Sequence, residues 1–320
     1  MAKPKWDAND ISSQADKVKM DEFLHIKSIS EVHRMFGLGK PKHPLISIIR
    51  KWPMIDFDFA SVRLTSELFL LSMKGRFSGK IAYGRNSYDF EEGTLVFMAP
   101  DQVATFEASI EESDDSGWTI LFHPDLIRKS VLGRTIKQFS FFDYDANEAL
   151  HVSEKEKQML DELVGRIEVE VQQNIDKHSQ ALIVVNLEAI MKYCSRYYDR
   201  QFYTRTNLNS DIVAQFEQYL KAYFSSNTLQ ENGIPTVAQC GKAFNMSGSY
   251  LSDLLKLETG KSAMAHIHAH IIEKAKTLLL NTNRPISEVA YDLGFEYPQH
   301  FSKLFKSKTG ISPSAYRNYN

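Results

Sequence analysis

The sequence predicts an α+β chain in two parts. An amino-terminal β domain of sandwich or small-barrel type is followed by two long helices, and an all-helical carboxy-terminal domain uses one helix-turn-helix unit twice. Three observations predict this. Short apolar runs at roughly ten-residue spacing fill residues 45 to 123, helical periodicity takes over from residue 153, and the last domain matches itself at an offset of 50 residues.

The β runs are LISIIRKW, FLLSM, GKIAYG, GTLVFMAP and WTILFH, separated by Gly, Pro, Asn and acidic residues that suit turns. EESDDSG, residues 111 to 117, reads as a solvated loop tip. Trp52, Tyr83, Tyr88, Phe97 and Trp118 either line an apolar pocket for a small-molecule effector or are plain core. A metal enzyme built on such a β domain needs a clustered His-x-His with a carboxylate. None occurs between residues 45 and 123, where His123 precedes Pro124 and stands alone.

Residues 153 to 174 and 177 to 200 follow the helical period, the first opened by the capping-box pair Ser153 and Glu156. The second is apolar over a wider arc than one contact needs, including Leu182, Val184, Val185, Leu187, Ile190 and Met191. That arc fits either a helix sandwiched inside one monomer or a helix shared with a second subunit. QFYTRTNLNS, residues 201 to 210, is polar and aperiodic and reads as a linker. The expected division is therefore 1–152 for the β domain, 153–200 for dimerisation helices, 201–210 for the linker and 211–320 for a seven-helix domain.

Within that last domain Pro235, Ser252, Leu254, Lys256, Thr259, Gly260 and Ser262 recur as Pro285, Ser302, Leu304, Lys306, Thr309, Gly310 and Ser312. Each copy reads as a short helix (about 236–244 and 286–293), a tight connection and a second helix (about 248–257 and 298–308). The connections are expected to have equal length and different chemistry. Gly294 supplies a positive φ and Pro298 a helix first turn in one, while Asn245 tolerates the left-handed region and Ser247 caps the helix in the other.

One side of each second helix is apolar: Tyr250, Leu251, Leu254 and Leu255, or Phe301, Leu304 and Phe305. The other side presents Ser249, Ser252, Asp253 and Lys256, or Gln299, His300, Ser302, Lys303 and Lys306. Such side chains suit base edges and phosphates in a major groove. KSAMAHIHAHIIEKAKTLLLNTN forms a rigid connector between the units, which can set two such helices into successive major grooves, about 34–36 Å apart.

Charge supports this division. The 320 residues carry a net charge of -2, but from Asp211 onward 11 basic residues face 9 acidic ones, and Lys303, Lys306, Lys308 and Arg317 follow Glu296 with no acid among them. A local basic surface is what a phosphate backbone requires. No apolar run approaches the roughly 18 residues of a membrane span and the amino terminus lacks a signal-peptide core, so a cytoplasmic location without membrane contact is expected. Cys194 and Cys240 fall in apolar helical patterns and read as buried thiols. His266 and His270 share a helix face without an evident third metal ligand, and read with His268 as surface or packing residues; no cofactor is expected.

The string ISEVAYDLGFEYPQHFSKLFKSKTGISPSAYR, residues 286 to 317, resembles the hallmark segment of the AraC-type (AraC/XylS) regulators, and MSGSYLSDLLKLETGKSA resembles their first unit. The β domain more loosely resembles their cupin-like regulatory domain. The resemblance implies a transcription regulator, an activator by analogy, that binds double-stranded promoter DNA, recruits RNA polymerase and acts as a homodimer under a possible effector. It implies base reading by Ser249, Ser252, Asp253, Gln299, His300 and Lys303, with Lys256 and Lys306 nearer to phosphate. The alternative is a cupin-type metal-dependent enzyme with an accessory helical domain. Two positions depart from the family: Ile271, where arginine is common, and Asp253, an acid where a basic or amide residue is common.

Overall fold

The computed structural model describes residues 23–53, 63–74, 81–83, 86–88, 93–106, 117–145, 148–173, 176–209, 212–226, 229 and 232–319. Each of the five apolar runs holds a strand: β2 (Ile46–Ile49), β4 (Phe69–Lys74), β5 (Ile81–Tyr83), β7 (Thr94–Met98) and β9 (Trp118–Phe122). Five further strands are short: β1 (Phe23–Ile26), β3 (Arg63–Ser66), β6 (Asn86–Tyr88), β8 (Ala104–Phe106) and β10 (Leu150–His151). They form two five-stranded sheets in the orders β1-β3-β8-β5-β6 and β10-β7-β4-β9-β2, antiparallel except for β1 against β3.

No strand pairing joins the sheets among the described residues, so these form two open sheets where a closed barrel was one expectation. Closure needs every edge strand to pair. At β10 a side chain takes that role: Gln201 accepts from the His151 N–H at 2.8 Å and donates to the Ala149 carbonyl at 3.1 Å.

All five β9 residues are buried, because the two faces of that strand meet different partners. Trp118, Ile120 and Phe122 join Leu71, Met73, Leu95 and Phe97 in a core shared with helices α4 (Glu154–Gln172) and α5 (Ser179–Asn209). Leu121 and Ile49 face Ile26 and Leu64 of the other sheet and Ile29 of α1 (Ile29–Met35). The three aromatic residues of that set whose side chains are described do not share one pocket. Phe97 and Trp118 pack on the helical side, with Trp118 donating to Asp161 of α4 at 2.7 Å, whereas Trp52 packs edge-on against Phe36 at 4.9 Å. The side chains of Tyr83 and Tyr88 lie outside the described residues, as does most of the 111–117 loop.

The connection from β9 to α4 carries two short helices, α2 (Pro124–Ile127) and α3 (Val131–Thr135), and two 3-10 turns, Ile136–Gln138 and Ser140–Asp143. Ser153 and Glu156 make the expected capping box on α4, an arrangement worth about 1 kcal/mol. A bidentate pair from Arg50 to Glu168, both bonds 2.7 Å, ties α4 to the end of β2.

Helix α5 runs 31 residues to Asn209, through the segment expected to be a linker. No Gly or Pro interrupts it. Gln201 and Phe202 anchor it by burial, against the β10 edge and against Tyr144, Tyr198 and Tyr250. On its outer side Leu182 and Val185 are 47% and 56% exposed.

Seven helices follow among the described residues: α6 (Ile212–Ser225), α7 (Val237–Ala243), α8 (Gly248–Thr259), α9 (Ala263–Asn281), α10 (Ile286–Asp292), α11 (Pro298–Thr309) and α12 (Pro313–Tyr319). No described helix is long and apolar enough to cross a membrane.

Candidate nucleic-acid interface

The two helix-turn-helix units are α7–α8 and α10–α11, and the repeat is written in their hydrogen bonds. Thr259 and Thr309 each turn their hydroxyl back to the carbonyl four residues earlier, at 2.7 and 2.8 Å. Gly260 and Gly310 then take left-handed φ values of 72° and 84° and donate to Lys256 and Lys306. Ser262 and Ser312 accept from the N–H three residues on and so start the next helix. Glycine is the residue that ends a helix this way without strain.

The connections are not of equal length. Between α7 and α8 lie four residues, 244–247; between α10 and α11 lie five, 293–297. Asn245 (φ 55°) and Gly294 (φ 81°) occupy the same left-handed place, and the bonds Met246 N–H to Gly241 O and Phe295 N–H to Ala290 O match in a frame of 49 rather than 50. The offset of 50 holds from the second helices onward, through Gly260 and Gly310 to Ser262 and Ser312, and not for the first helices. The extra residue is accommodated before α11, where Tyr297 is the N-cap residue and Pro298 opens the helix.

Behind the turns the packing is tight. A Cβ on Gly241 would sit 2.6 Å from the Met246 carbonyl oxygen, and one on Gly294 3.0 Å from Leu229 Cδ1. Helix α9 is fixed by Glu217, which bonds His266 Nδ1 and His270 Nε2, both at 2.6 Å. The carboxyl is partly buried, which alone would raise its pKa, but the two imidazoles dominate and hold it below the usual carboxylate range. Both histidines are thus packing partners of one acid, and no group of three or more His, Cys, Asp or Glu able to hold a metal ion occurs among the described residues. Ile271 is fully buried in the α9 core. Cys194 and Cys240 are buried free thiols, and burial pushes the Cys240 thiol up to about 11.

On α11, Phe301 and Phe305 are fully buried, and Gln299, His300, Lys303 and Lys306 are all exposed. Tyr297, which sequence reasoning did not select, is also exposed and packs edge-on against the His300 ring at 5.5 Å. Its signal was its place at the start of the helix, one turn before His300.

On α8 the equivalent residues are less available. Ser249, Ser252 and Asp253 are half-buried, and only Lys256 is exposed. Ser252 Oγ accepts from the Ala263 N–H at 3.3 Å; this bond has no counterpart in the second unit, where Pro313 stands in place of Ala263. Asp253 accepts from Ser140 and, at 2.7 Å, from Tyr144. Burial, and then the Asp253 carboxylate, raise the Tyr144 hydroxyl pKa strongly, so it remains a donor.

The motif architecture agrees with the comparisons with known proteins. A family model described as a helix-turn-helix domain matches residues 240–319. An uncharacterized HTH-type transcriptional regulator of Bacillus subtilis, YfiF, is 30% identical over 141 residues, covering 44% of this chain and 41% of that protein. The arabinose operon regulatory protein of Salmonella typhimurium is 23% identical over 268 residues, covering 82% of this chain and 88% of that one. The solved carboxy-terminal domain of AraT, a response regulator from Geobacillus stearothermophilus, is 34% identical, covers 34% of this chain and 85% of its own, and has a TM-score of 0.31. The chain spans 41% of YfiF, and 21% of the xylose operon regulatory protein of Escherichia coli that it also matches. The carboxy-terminal helix-turn-helix domain, residues 240–319, is thus of the AraC/XylS type, and the curated proteins it resembles are named as transcription regulators.

Proposed function

We propose that the chain is a sequence-specific regulator that binds promoter DNA, with α8 and α11 as two recognition helices able to enter adjacent major grooves. One observation carries this reading: α11 buries Phe301 and Phe305 on one side and exposes Gln299, His300, Lys303 and Lys306 on the other. All four are exposed polar side chains, and their chemistry fits base edges and phosphates. Gln299, His300 and Lys303 read bases, with Lys306 nearer to phosphate; Ser249, Ser252, Asp253 and Lys256 are the corresponding set on α8.

In this reading the two-sheet amino-terminal domain, cupin-like in its sequence, is the regulatory part through which a small-molecule effector acts. The protein works in the cytoplasm as an activator that recruits RNA polymerase. Leu182 and Val185, exposed on α5, supply an apolar face for a second copy of the chain.

Random-sequence selection with the full chain, at stated salt, tests the central point. Enrichment of a defined duplex motif is expected, and Lys303→Ala should weaken binding to it. Failure of the wild-type chain to enrich any motif would refute the proposal.

A further inference from the structure

Among the described residues, the hydrogen bonds and ring contacts from the amino-terminal domain and α5 to the proposed recognition helices fall on α8. The Glu148 carboxylate, 3% exposed, accepts from the Ser247 backbone N–H at 2.7 Å through Oε1 and from the Ser247 hydroxyl at 2.5 Å through Oε2. Ser247 is the N-cap of α8, and its hydroxyl in turn accepts from Tyr250. Further along α8, Ser140 and Tyr144 hold the Asp253 carboxylate. Between the two polar contacts Tyr250 packs against Tyr144 at 5.3 Å and Phe202 at 4.8 Å.

Glu148 is itself braced. Its Oε2 accepts from the Asp145 N–H at 2.8 Å and its carbonyl from the Tyr198 hydroxyl at 3.1 Å, so Glu148 is held from both its side chain and its backbone. Burial raises its pKa and the Ser247 bonds oppose that rise, which is the balance of a carboxylate held in place by its donors.

We propose that this contact is an autoinhibitory clasp, in which Glu148, Ser140 and Tyr144 withhold α8 from DNA while leaving α11 free. The inference rests on the DNA-reading proposal above. Its physical content is competition. A carboxylate at the start of α8 occupies the N–H and hydroxyl on the side where the duplex would approach, and its charge repels a backbone phosphate. While Asp253 accepts from Ser140 and Tyr144, it is not free to accept from a cytosine amino group. Burial, and then the neighbouring Asp253 carboxylate, raise the pKa of Asp199 on α5 while Lys256 opposes the rise, so an acid of α5 also lies close to this face of α8. The α8 surface therefore becomes available when the domains part, and any ligand or partner that favours the parted arrangement raises the affinity for DNA.

Full-length wild-type, Glu148→Ala and Tyr144→Phe proteins test this by two measurements. One is hydroxyl-radical footprinting and titration on the duplex that the wild type selects; the other is amide exchange over residues 247–253 without DNA. The clasp predicts faster exchange in the variants, binding tighter by about ten-fold, and a footprint longer by about one helical turn. Tyr144→Phe keeps the buried ring, so the result stays readable if Glu148→Ala fails to fold. Unchanged affinity and footprint in a folded variant would overturn the proposal. If no protein binds a duplex at all, the DNA-reading proposal fails and inhibition with it, while faster exchange would still register the contact itself.

Discussion

The two helix-turn-helix units share a fold but not a setting. The first belongs to the core of the rest of the protein: Cys240, Tyr250, Leu251, Leu254 and Leu255 are continuous with the apolar cluster that contains Leu71, Trp118, Leu163 and Met191. The second has a core of its own, made by Leu279, Val289, Ala290, Leu293, Phe301 and Phe305. The polar surfaces divide the same way, with α8 half-covered by Ser140, Tyr144 and Glu148 and the polar side of α11 exposed. The repeat provides two helices of the same kind, and contact with the amino-terminal domain makes their surroundings unequal. A structural repeat is therefore weak evidence for equal duties.

The largest expected effect separates the two cores. Phe301→Ala removes a fully buried ring and should cost about 3–5 kcal/mol. Amide exchange should then accelerate through residues 286–309 while residues 237–259 stay protected. Equal loss of protection in both units would mean that they unfold as one, and the comparison would fail.

The next separates the two surfaces. Lys303→Ala should weaken binding of the full chain to its selected duplex by about 1–3 kcal/mol, whereas Asp253→Ala should weaken it by less or strengthen it, since the substitution also removes a clasp anchor. Titration at fixed salt reads both, and equal losses would refute the ranking.

The smallest concerns the two turns. Gly294→Ala places a Cβ at φ 81° and close to Leu229, and should cost about 1–3 kcal/mol in denaturant unfolding. Asn245→Gly sits at the same place in the first unit and should change stability by less than about 1 kcal/mol, because Asn tolerates the left-handed region. If both substitutions had the same sign and size, the two turns would not be equivalent after all.

Much of this was legible in the residues, for identifiable reasons. The strands found from sequence are those with runs such as FLLSM and WTILF, buried and apolar; β3 and β10, with RLTS and LH, carry no such pattern because they are short edge or half-exposed segments. The second helix-turn-helix unit was readable because Thr309, Gly310 and Ser312 make local bonds that sequence spacing reports. The helical course of residues 201–209 was hidden, since polar side chains gave no period and the anchors are tertiary: Gln201 on a strand edge and Phe202 in an aromatic cluster. The one-residue difference between the turns was hidden as well, because matches in the long second helices outweighed those in the short first ones. Asp253 was recognised as out of place for a DNA-facing residue, but its partners Ser140 and Tyr144 lie more than a hundred positions away and leave no trace in local pattern.

The inequality of the two units is tested most directly by substituting each base pair of the selected duplex in turn and titrating the full wild-type chain at fixed salt. Penalties of about 1–3 kcal/mol per pair, concentrated within a single major groove, are the predicted result. Penalties of equal size in two grooves one helical turn apart would contradict it.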